Sequence, residues 1–287
     1  MLQRPTTALF QSLESRRLLS ATVDLTDGVL RVTGDAAGNT ITVAYTDDTK
    51  TSIAVTVNAD PAQTFDALLV SKVRIESGDG ADVVTSSVDR RTTIDAGDGA
   101  DSVTVGSGRN QVFGKGGNDS LTGGEGHDML SGGDGDDLIS GSKGNDLLFG
   151  GAGNDTVSGD KGNDALFGGD GDDSMSGGVG NDVLFGLAGN DSLSGDDGND
   201  AIWGGDGSDT DLGGAGNDTL VAGAGPDSLD GGAGKDWIIA TTGTDTVVAS
   251  EGKDKDLTNN HLKWSKSEFL HRKAVRGYKL AELSGEL

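Results

Sequence analysis

Residues 141–176 read GSKGNDLLF-GGAGNDTVS-GDKGNDALF-GGDGDDSMS, which is one nonapeptide repeated four times. The same nine-residue period runs from residue 114 to residue 239, in fourteen copies without an insertion or a deletion. Position 4 is Gly and position 6 is Asp in every copy, and position 8 is Leu, Ile, Val or Met in all but one. Such a fixed short period indicates a stacked repeat architecture. The alternative is a disordered acidic linker, which would have no reason to keep a fixed phase.

One repeat predicts a tight turn followed by a very short strand. Glycine-rich positions 1 to 5 permit the positive φ angles that a tight turn needs. Positions 7 to 9 alternate so that position 8 points to one side of the strand and its neighbours point to the other. One inward side chain cannot form a core alone, so two repeats are expected to make an 18-residue coil with two facing sheets. At about 4.8 Å per coil, seven coils would form a rod roughly 34 Å long. The predicted fold is an all-β parallel β-roll, a solenoid.

Composition narrows the class of protein further. The chain of 287 residues has 50 Gly, no Cys and a formal net charge of -25. Glycine does not recur every third residue, which excludes collagen, and the absence of Cys excludes a disulfide scaffold. No apolar run approaches the roughly 20 residues of a membrane-spanning helix. The acidity argues against nucleic acid as a partner, because phosphate would be repelled.

The predicted stacking places like charges close together. Each coil brings one position-6 Asp to each edge of the rod, so carboxylates would recur about every 4.8 Å. Unscreened charges at that spacing repel strongly. A divalent cation between successive turns would remove the repulsion and take turn carbonyls as further ligands. Oxygen ligands without His or Cys favour Ca²⁺ over zinc or copper.

The repeat resembles the GGxGxDxUx calcium-binding β-roll of the RTX (repeats-in-toxin) family. The resemblance is close over residues 114–248, and weaker copies at Ser77 and Ala96 keep the turn. It implies that Ca²⁺ bridges position-6 side chains 18 residues apart, such as Asp119 and Asp137. The candidate calcium ligands are Asp82, Asp101, Asp119, Asp128, Asp137, Asp146, Asp155, Asp164, Asp173, Asp182, Asp191, Asp200, Asp209, Asp218, Asp227, Asp236 and Asp245.

Two copies depart from the pattern. Asn110 stands where Asp is expected, which puts a calcium site there in doubt. Asp211 occupies the inward position 8 of its repeat. It is expected to disturb the apolar ladder unless Leu212 takes its place.

Position 9 carries a second pattern with a period of 18. Its aromatic residues alternate with Ser, so one outer sheet face receives an aromatic stripe and the other stays rich in hydroxyl groups. The stripe predicts either cross-strand stacking or cover by the chain's own termini. The alternative is a docking surface for an extracellular polysaccharide, a surface protein or a second copy. The stripe consists of Phe149, Phe167, Phe185 and Trp203.

The flanking segments differ from the repeats, which we assign to residues 77–257. Residues 22–76 contain alternating β-branched segments and are predicted to form an N-terminal β cap; a small carbohydrate- or protein-binding domain is the alternative. In residues 258–287, Ser265 and Glu268 form a capping box ahead of a basic amphipathic helix. This helix is expected to cap the last coil, with contact to the acidic rod or to a membrane surface as alternatives.

Residues 10–21, FQSLESRRLLSA, resemble the LEPR-XLL-type segment that heads many bacterial extracellular proteins, with Ser15 in place of the usual Pro. The resemblance makes residues 1–21 a leader or sorting segment and implies export to the cell surface or the medium.

The sequence favours a non-enzymatic function. It contains no G-x-S-x-G elbow and no P-loop. The predicted function is that of a secreted calcium-binding β-roll that folds on binding Ca²⁺ and serves as a structural, adhesive or surface-matrix module. The alternative is a Ca²⁺-dependent enzyme that modifies extracellular polysaccharide, or an auxiliary module of one.

Overall fold

A computed structural model describes residues 21–241, 244–248 and 255–256. The predicted leader, apart from Ala21, and the predicted C-terminal helix lie outside these residues, so both remain predictions. Within the described part of the chain, 28 strands form two sheets, and one short 3₁₀-helix covers Ala67–Leu69.

Sheet A contains 13 strands. In their spatial order they are β1 (Thr22–Thr26), β2 (Val29–Thr33), β6 (Lys72–Glu76), β8 (Arg91–Asp98), β10 (Gln111–Gly116), β12 (Met129–Asp134), β14 (Leu147–Ala152), β16 (Ala165–Asp170), β18 (Val183–Ala188), β20 (Ala201–Asp206), β23 (Thr219–Ala224), β26 (Trp237–Ile239) and β28 (Lys255–Asp256).

Sheet B contains 15 strands. In spatial order, thirteen of them are β5 (Gln63–Asp66), β4 (Ser52–Val57), β3 (Thr40–Tyr45), β7 (Val83–Ser86), β9 (Ser102–Val105), β11 (Ser120–Thr122), β13 (Leu138–Ser140), β15 (Thr156–Ser158), β17 (Ser174–Val179), β19 (Ser192–Asp197), β21 (Thr210–Leu212), β24 (Ser228–Asp230) and β27 (Thr246–Val248). The two short strands β22 (Ala215–Gly216) and β25 (Ala233–Gly234) complete it beside β19.

The strand register confirms the predicted 18-residue coil. Neighbouring strands within the repeats run parallel, and each residue lies beside the residue 18 positions further on. In sheet A, Leu130 pairs with Leu148, and in sheet B, Ile139 pairs with Val157. The chain therefore passes once through each sheet per coil and makes a parallel β-solenoid.

The strands are longer than the repeat chemistry predicts. β16 begins at position 7 of one repeat and continues through position 3 of the next. The prediction that positions 1 to 5 form the turn is therefore wrong for positions 1 to 3 wherever a strand continues into the next repeat, as β16 does. The reason is that a positive φ, as at Gly169 (133°), does not interrupt the parallel pairing, which continues from Gly169 to Leu187.

The core is a thin double ladder of position-8 side chains. Residues such as Leu166, Leu184 and Ile202 are buried between the sheets. Asp211 keeps its inward place: it is 0% exposed and pairs in register with Leu193 and Leu229. Leu212 is 42% exposed, so it does not replace Asp211. Replacement by Leu212 does not occur, because slipping one strand by one residue would turn every side chain of that strand to the other face. The ladder instead contains a buried carboxyl whose two oxygens have no hydrogen-bond partner.

At the N-terminal end, both sheets continue into the segment 22–76. β2 pairs in parallel with β6, and β3 pairs in parallel with β7. Antiparallel partners then close each sheet, β1 against β2 and β4 against β3. Within the described ranges, no helix has the length and hydropathy needed to cross a lipid bilayer.

Candidate metal-binding turns

The position-6 aspartates form two columns of inward-turned side chains. The sequence placed them on the edges of the rod, but nearly all are at most 3% exposed; Asp245 is partly buried. The first column lies where the chain passes from sheet A to sheet B, and consists of Asp82, Asp101, Asp119, Asp137, Asp155, Asp173, Asp191, Asp209, Asp227 and Asp245. The second column lies at the return from sheet B to sheet A, and consists of Asp128, Asp146, Asp164, Asp182, Asp200, Asp218 and Asp236.

Within each column, one carboxylate oxygen joins two coils. The main-chain N–H of Asp119 donates a hydrogen bond of 2.7 Å to Oδ1 of Asp137, 18 residues further on. Asp146 donates in the same way to Asp164, also at 2.7 Å. The structure thus brings together the residues that the RTX resemblance pairs. Because the bond fixes Oδ1, it also fixes the direction in which Oδ2 points.

The second carboxylate oxygen has no hydrogen-bond partner. Burying a carboxylate oxygen without a donor is costly, and such oxygens are rare in folded proteins. Here they recur in every coil of the rod. Oδ2 is buried and without a hydrogen-bond partner in Asp82, Asp101, Asp119, Asp128, Asp137, Asp146, Asp155, Asp164, Asp173, Asp182, Asp191, Asp200, Asp209 and Asp227.

Most of these oxygens lie beside the position-1 glycine of their turn, which has no side chain; the exceptions are Asp82, Asp101 and Asp227, where position 1 is Ser or Ala. A Cβ placed on Gly159 would lie 2.6 Å from Oδ2 of Asp164 and 2.6 Å from the carbonyl oxygen of Gly177. The corresponding distances at Gly195 are 2.5 Å to Asp200 and 2.6 Å to the carbonyl oxygen of Gly213. A carboxylate oxygen and a carbonyl oxygen of the next coil therefore face the same small space.

Two asparagines show which groups surround that space. Asn39 and Asn110 precede the first and second columns, and their main-chain N–H groups donate to Asp82 (2.5 Å) and Asp128 (2.7 Å). Nδ2 of Asn110 donates to the carbonyl oxygens four and two residues earlier, at 3.1 and 3.4 Å. Nδ2 of Asn39 donates to the same two carbonyls of its turn, at 3.3 and 2.5 Å, and to Ser77 of the next coil at 3.1 Å.

An aspartate at the same position has an acceptor where asparagine has the Nδ2 donor. The amide nitrogen, which in Asn39 donates to three carbonyls, is replaced by Oδ2, which in the ionised carboxylate can only accept. By position in the repeat, the carbonyls around Asp164 are those of Asp160, Gly162 and Gly177. Oxygen atoms then face one another without a proton between them, and a hard cation such as Ca²⁺ fits this donor set. Within the described residues no three His, Cys, Asp or Glu side chains form a cluster that could hold a metal ion.

Burial shifts the titration of these carboxyls. It raises the pKa of Asp164 to about 8, against the lowering effect of the hydrogen bond from the N–H of Asp146. It raises the pKa of Asp128 to about 7 and that of Asp182 to about 6, with the same opposing hydrogen bond in each case. The neighbouring Asp146 carboxylate raises the pKa of Asp128 further. Without a cation, these groups resist ionisation because they are withdrawn from water.

The comparison with known families agrees with this geometry. Matches to the family model described as RTX calcium-binding nonapeptide repeat (4 copies) cover residues 86–121, 113–148, 122–157, 140–175, 149–184, 176–211 and 212–254. Together they span 86–254, which is more than half of the 287 residues. The chain belongs to the RTX calcium-binding nonapeptide repeat family. RTX repeats bind Ca²⁺, so this chain is a calcium-binding β-roll protein, and its several copies imply several ions. A comparison with curated proteins returned no match.

Position 5 of the RTX repeat has a role that the sequence analysis did not identify. Its side chain accepts a hydrogen bond from the main-chain N–H of the residue 18 positions later, as when Asn199 donates to Oδ1 of Asn181 at 2.9 Å. In the first column, Asp136 and Asp172 alternate with Asn118 and Asn154, so like charges are never in adjacent coils. The signal was visible, since position 5 is Asn, Asp, His or Ser in twelve of the fourteen copies.

The aromatic stripe of this RTX rod lies on the outer face of sheet A. The rings of Phe149 and Phe167, and those of Phe167 and Phe185, are stacked with centroids 5.1 Å apart. Phe185 and Trp203 stack at 4.6 Å. The predicted cross-strand stacking is therefore present, and the rings cover one another's faces.

Proposed function

We propose that this calcium-binding β-roll is a secreted, non-enzymatic module that folds when Ca²⁺ fills its turns, and that it acts as a structural or adhesive element outside the cell. The position-6 aspartates are proposed as its ligands. The observation that carries the proposal is the recurrent buried Oδ2 without a donor, beside the carbonyl oxygen of the next coil.

In each turn, one group orients the carboxylate, a second is the proposed ligand and a third leaves space for the ion. The N–H of Asp146 orients the carboxylate of Asp164 through Oδ1. Oδ2 is left for the ion, and the position-1 glycine leaves room for it. When bound, Ca²⁺ supplies the positive charge that balances the carboxylates. The turn carbonyls would then be ligands, where in the asparagine turns they accept from Nδ2.

Charge makes folding dependent on the ion. Residues 114–239 hold 25 acidic and 4 basic side chains, a net charge of 4 - 25 = -21. Without Ca²⁺, self-repulsion and buried carboxylates oppose the coil, whereas an ion that binds only the folded state stabilises it. A chain of this kind would stay open where Ca²⁺ is scarce, as in the cytosol, and fold after export into a calcium-rich medium.

The extracellular location rests on this ion dependence and on the leader-like residues 10–21. The aromatic stripe does not favour a sugar-binding platform, because a sugar ring stacks on an aromatic face and these faces already cover one another. A structural or adhesive role for the rod as a whole is therefore preferred to polysaccharide binding through the stripe.

The test is a Ca²⁺ titration of the full chain, starting from calcium-free protein and followed by far-ultraviolet circular dichroism, with Mg²⁺ as the control ion. We expect a cooperative gain of β signal with Ca²⁺ alone. No gain, or an equal gain with Mg²⁺, would overturn calcium-coupled folding.

A variant pair tests the ligands. Asp164→Asn is expected to lower the number of bound ions measured by calorimetry by about one, because the new Nδ2 can donate to the turn carbonyls as in Asn110. Asp172→Asn makes the same change of charge at exposed position 5 and should leave that number unchanged. Equal effects of the two variants would contradict the assignment of position 6.

A further inference from the structure

The outer faces of the two sheets differ in chemistry over the C-terminal half of the rod. On sheet A, the position-9 side chains of the strands from β14 to β26 form one in-register column. That column consists of Phe149, Phe167, Phe185, Trp203, Val221 and Ile239. The position-7 column beside it is Leu, Ala or Val, apart from Thr219 and Trp237. We call these two columns the apolar face.

The corresponding side of sheet B is mostly Ser and Thr, so the apolar face is not a general property of the repeat. Most of the large side chains of the apolar face are only half-buried, and Trp237 is 49% exposed. A contiguous apolar patch of this length marks a contact surface. Because the aromatic rings stack on one another, only their edges point outward, and a ridge of aliphatic side chains suits such a surface.

The chain leaves the described rod from the sheet that carries this face. β28 is the last described strand, and it pairs with β26 so that Lys255 lies beside Trp237. Residues 257–287, here called the C-terminal segment, follow directly.

The charge of the C-terminal segment is opposite to that of the border of the apolar face. The C-terminal segment contains six Lys or Arg and three Glu, a net charge of 6 - 3 = +3. The apolar face is bordered on its aromatic side by Asp134, Asp170 and Asp206, which are the last residues of β12, β16 and β20. All three are exposed, and within the described residues none forms an ion pair. They recur every second coil, about 9.6 Å apart.

Length also fits. The capping box at Ser265 opens an amphipathic pattern in which Leu270, Ala274, Tyr278 and Ala281 share one side. A helix over residues 265–283 would be about 28 Å long. The apolar face spans five strand intervals from β14 to β26, or about 24 Å.

We propose that the C-terminal segment folds back as a helix along the apolar face, with its aliphatic side on the aromatic column and its basic side chains over the row of Asp134, Asp170 and Asp206. This differs from the cap on the last coil that the sequence predicted. The rod then has one face covered by its own chain and one hydroxyl-rich face open to solvent.

The absence of cysteine makes the proposal testable with the full chain. In Ala274→Cys/Val183→Cys, one thiol lies on the apolar side of the helix and the other at position 7 of β18. In Ala274→Cys/Ser192→Cys, the second thiol is at position 7 of β19, on sheet B. Both proteins are oxidised mildly in saturating Ca²⁺, after circular dichroism has shown that they fold. We expect at least ten times more disulfide within one molecule for the Val183 pair than for the Ser192 pair.

Three outcomes would overturn the proposal. Equal or negligible cross-linking in both pairs would show that the segment does not lie on the apolar face. Disulfides only between molecules would mean that a second copy covers this face. A third pair, Ala274→Cys/Trp237→Cys, that cross-links while the Val183 pair does not would place the segment at the last coil. In the Val183 pair, adding Phe167→Ser and Phe185→Ser should reduce the cross-link at least fivefold.

Discussion

The main-chain N–H of Asn110 donates a 2.7 Å hydrogen bond to Oδ1 of Asp128, one coil further along the rod. Asn110 thus joins the second column by the same hydrogen bond that the aspartates from Asp128 to Asp218 donate. Its own Nδ2 satisfies the turn carbonyls, whereas Oδ2 of Asp128 has no donor. The same backbone geometry therefore occurs in a turn whose carbonyls accept from an amide and in a turn whose carboxylate oxygen has no donor.

Asn110→Asp is expected to create one additional calcium site. Removing Nδ2 leaves the carbonyls of Gly106 and Gly108 facing a carboxylate, which is the arrangement around every other member of the column. We expect calorimetry to show about one more bound ion per chain. Without Ca²⁺, the variant should be less stable by about 2 kcal/mol, because buried acceptors lose their donor.

The control is Asn145→Asp, which adds the same charge at exposed position 5 of the same column. It should leave the number of bound ions unchanged. An Asn110→Asp protein that binds no additional ion would show that the oxygens around position 6 do not form the site.

Gly171→Ala tests why position 4 is always glycine. The φ of Gly171 is 127°, and an added Cβ would overlap the carbonyl oxygen of Gly153 in the preceding coil. The overlap is with backbone, so neighbouring coils must separate. We expect a loss of about 3 kcal/mol in the free energy of unfolding in saturating Ca²⁺.

Gly116→Ala is the matched control in urea unfolding. The nearest atom to a Cβ at Gly116 is Oδ1 of Asp98 at 3.4 Å, an ordinary contact, so the loss should stay below about 1 kcal/mol. Equal losses for the two variants would show that the coils can separate freely.

The sequence was sufficient for the architecture because each feature of the coil repeats. The nine-residue period determines the 18-residue register, as in the pairing of Leu130 with Leu148, and position 8 predicts the core. The fixed Asp at position 6 predicted which residues would meet. A single repeat does not reveal that these carboxylates turn inward, because the inward direction depends on the N–H that the preceding coil donates to Oδ1.

Asp211 shows what a local pattern cannot predict. Read alone, an aspartate at position 8 beside Leu212 predicts a shifted strand. In the rod, β19 and β24 hold β21 in register on both sides, and the carboxyl is buried instead. The pairing energy of neighbouring coils thus exceeds the preference of one side chain for water.

The calcium-free rod should lose stability as the pH rises. Burial raises the pKa of Asp164 to about 8 and that of Asp200 to about 7, whereas the carboxyl of an unfolded aspartate has a pKa of about 4. Between these values the folded chain binds more protons than the unfolded chain, so the free energy of unfolding falls as pH increases. It is greatest below about pH 4 and is lost progressively up to about pH 8.

Urea unfolding of calcium-stripped protein at pH 5 and pH 8 measures this directly, with a lower midpoint expected at pH 8. Saturating Ca²⁺ should remove the loss at pH 8, since the ion binds the ionised carboxylates, and its affinity should weaken as the pH falls. A calcium-free midpoint that rises with pH would contradict the burial of these carboxyls.

Asp211→Leu should stabilise the rod. Both carboxylate oxygens of Asp211 are buried without a hydrogen-bond partner, and burial, followed by the nearby carboxylates of Asp209, Asp227 and Asp191, raises its pKa to about 8. A leucine would fill the ladder as Leu193 and Leu229 do in the coils on either side. Removing an unsatisfied buried carboxyl and burying an aliphatic side chain should together add about 3 kcal/mol to the free energy of unfolding.

Urea unfolding in saturating Ca²⁺ at pH 7 measures this gain, and Leu229→Asp is the matched reverse change in the same ladder. It places a second carboxyl directly beside Asp211 in the register and should lose at least as much stability as Asp211→Leu gains. If Asp211→Leu instead lowers stability while the calcium-dependent fold persists, the buried carboxyl must have a partner in the folded protein, such as a bound ion. The apolar ladder would then contain a ligand at this coil, and the calcium columns would not be the only ionic element of the rod.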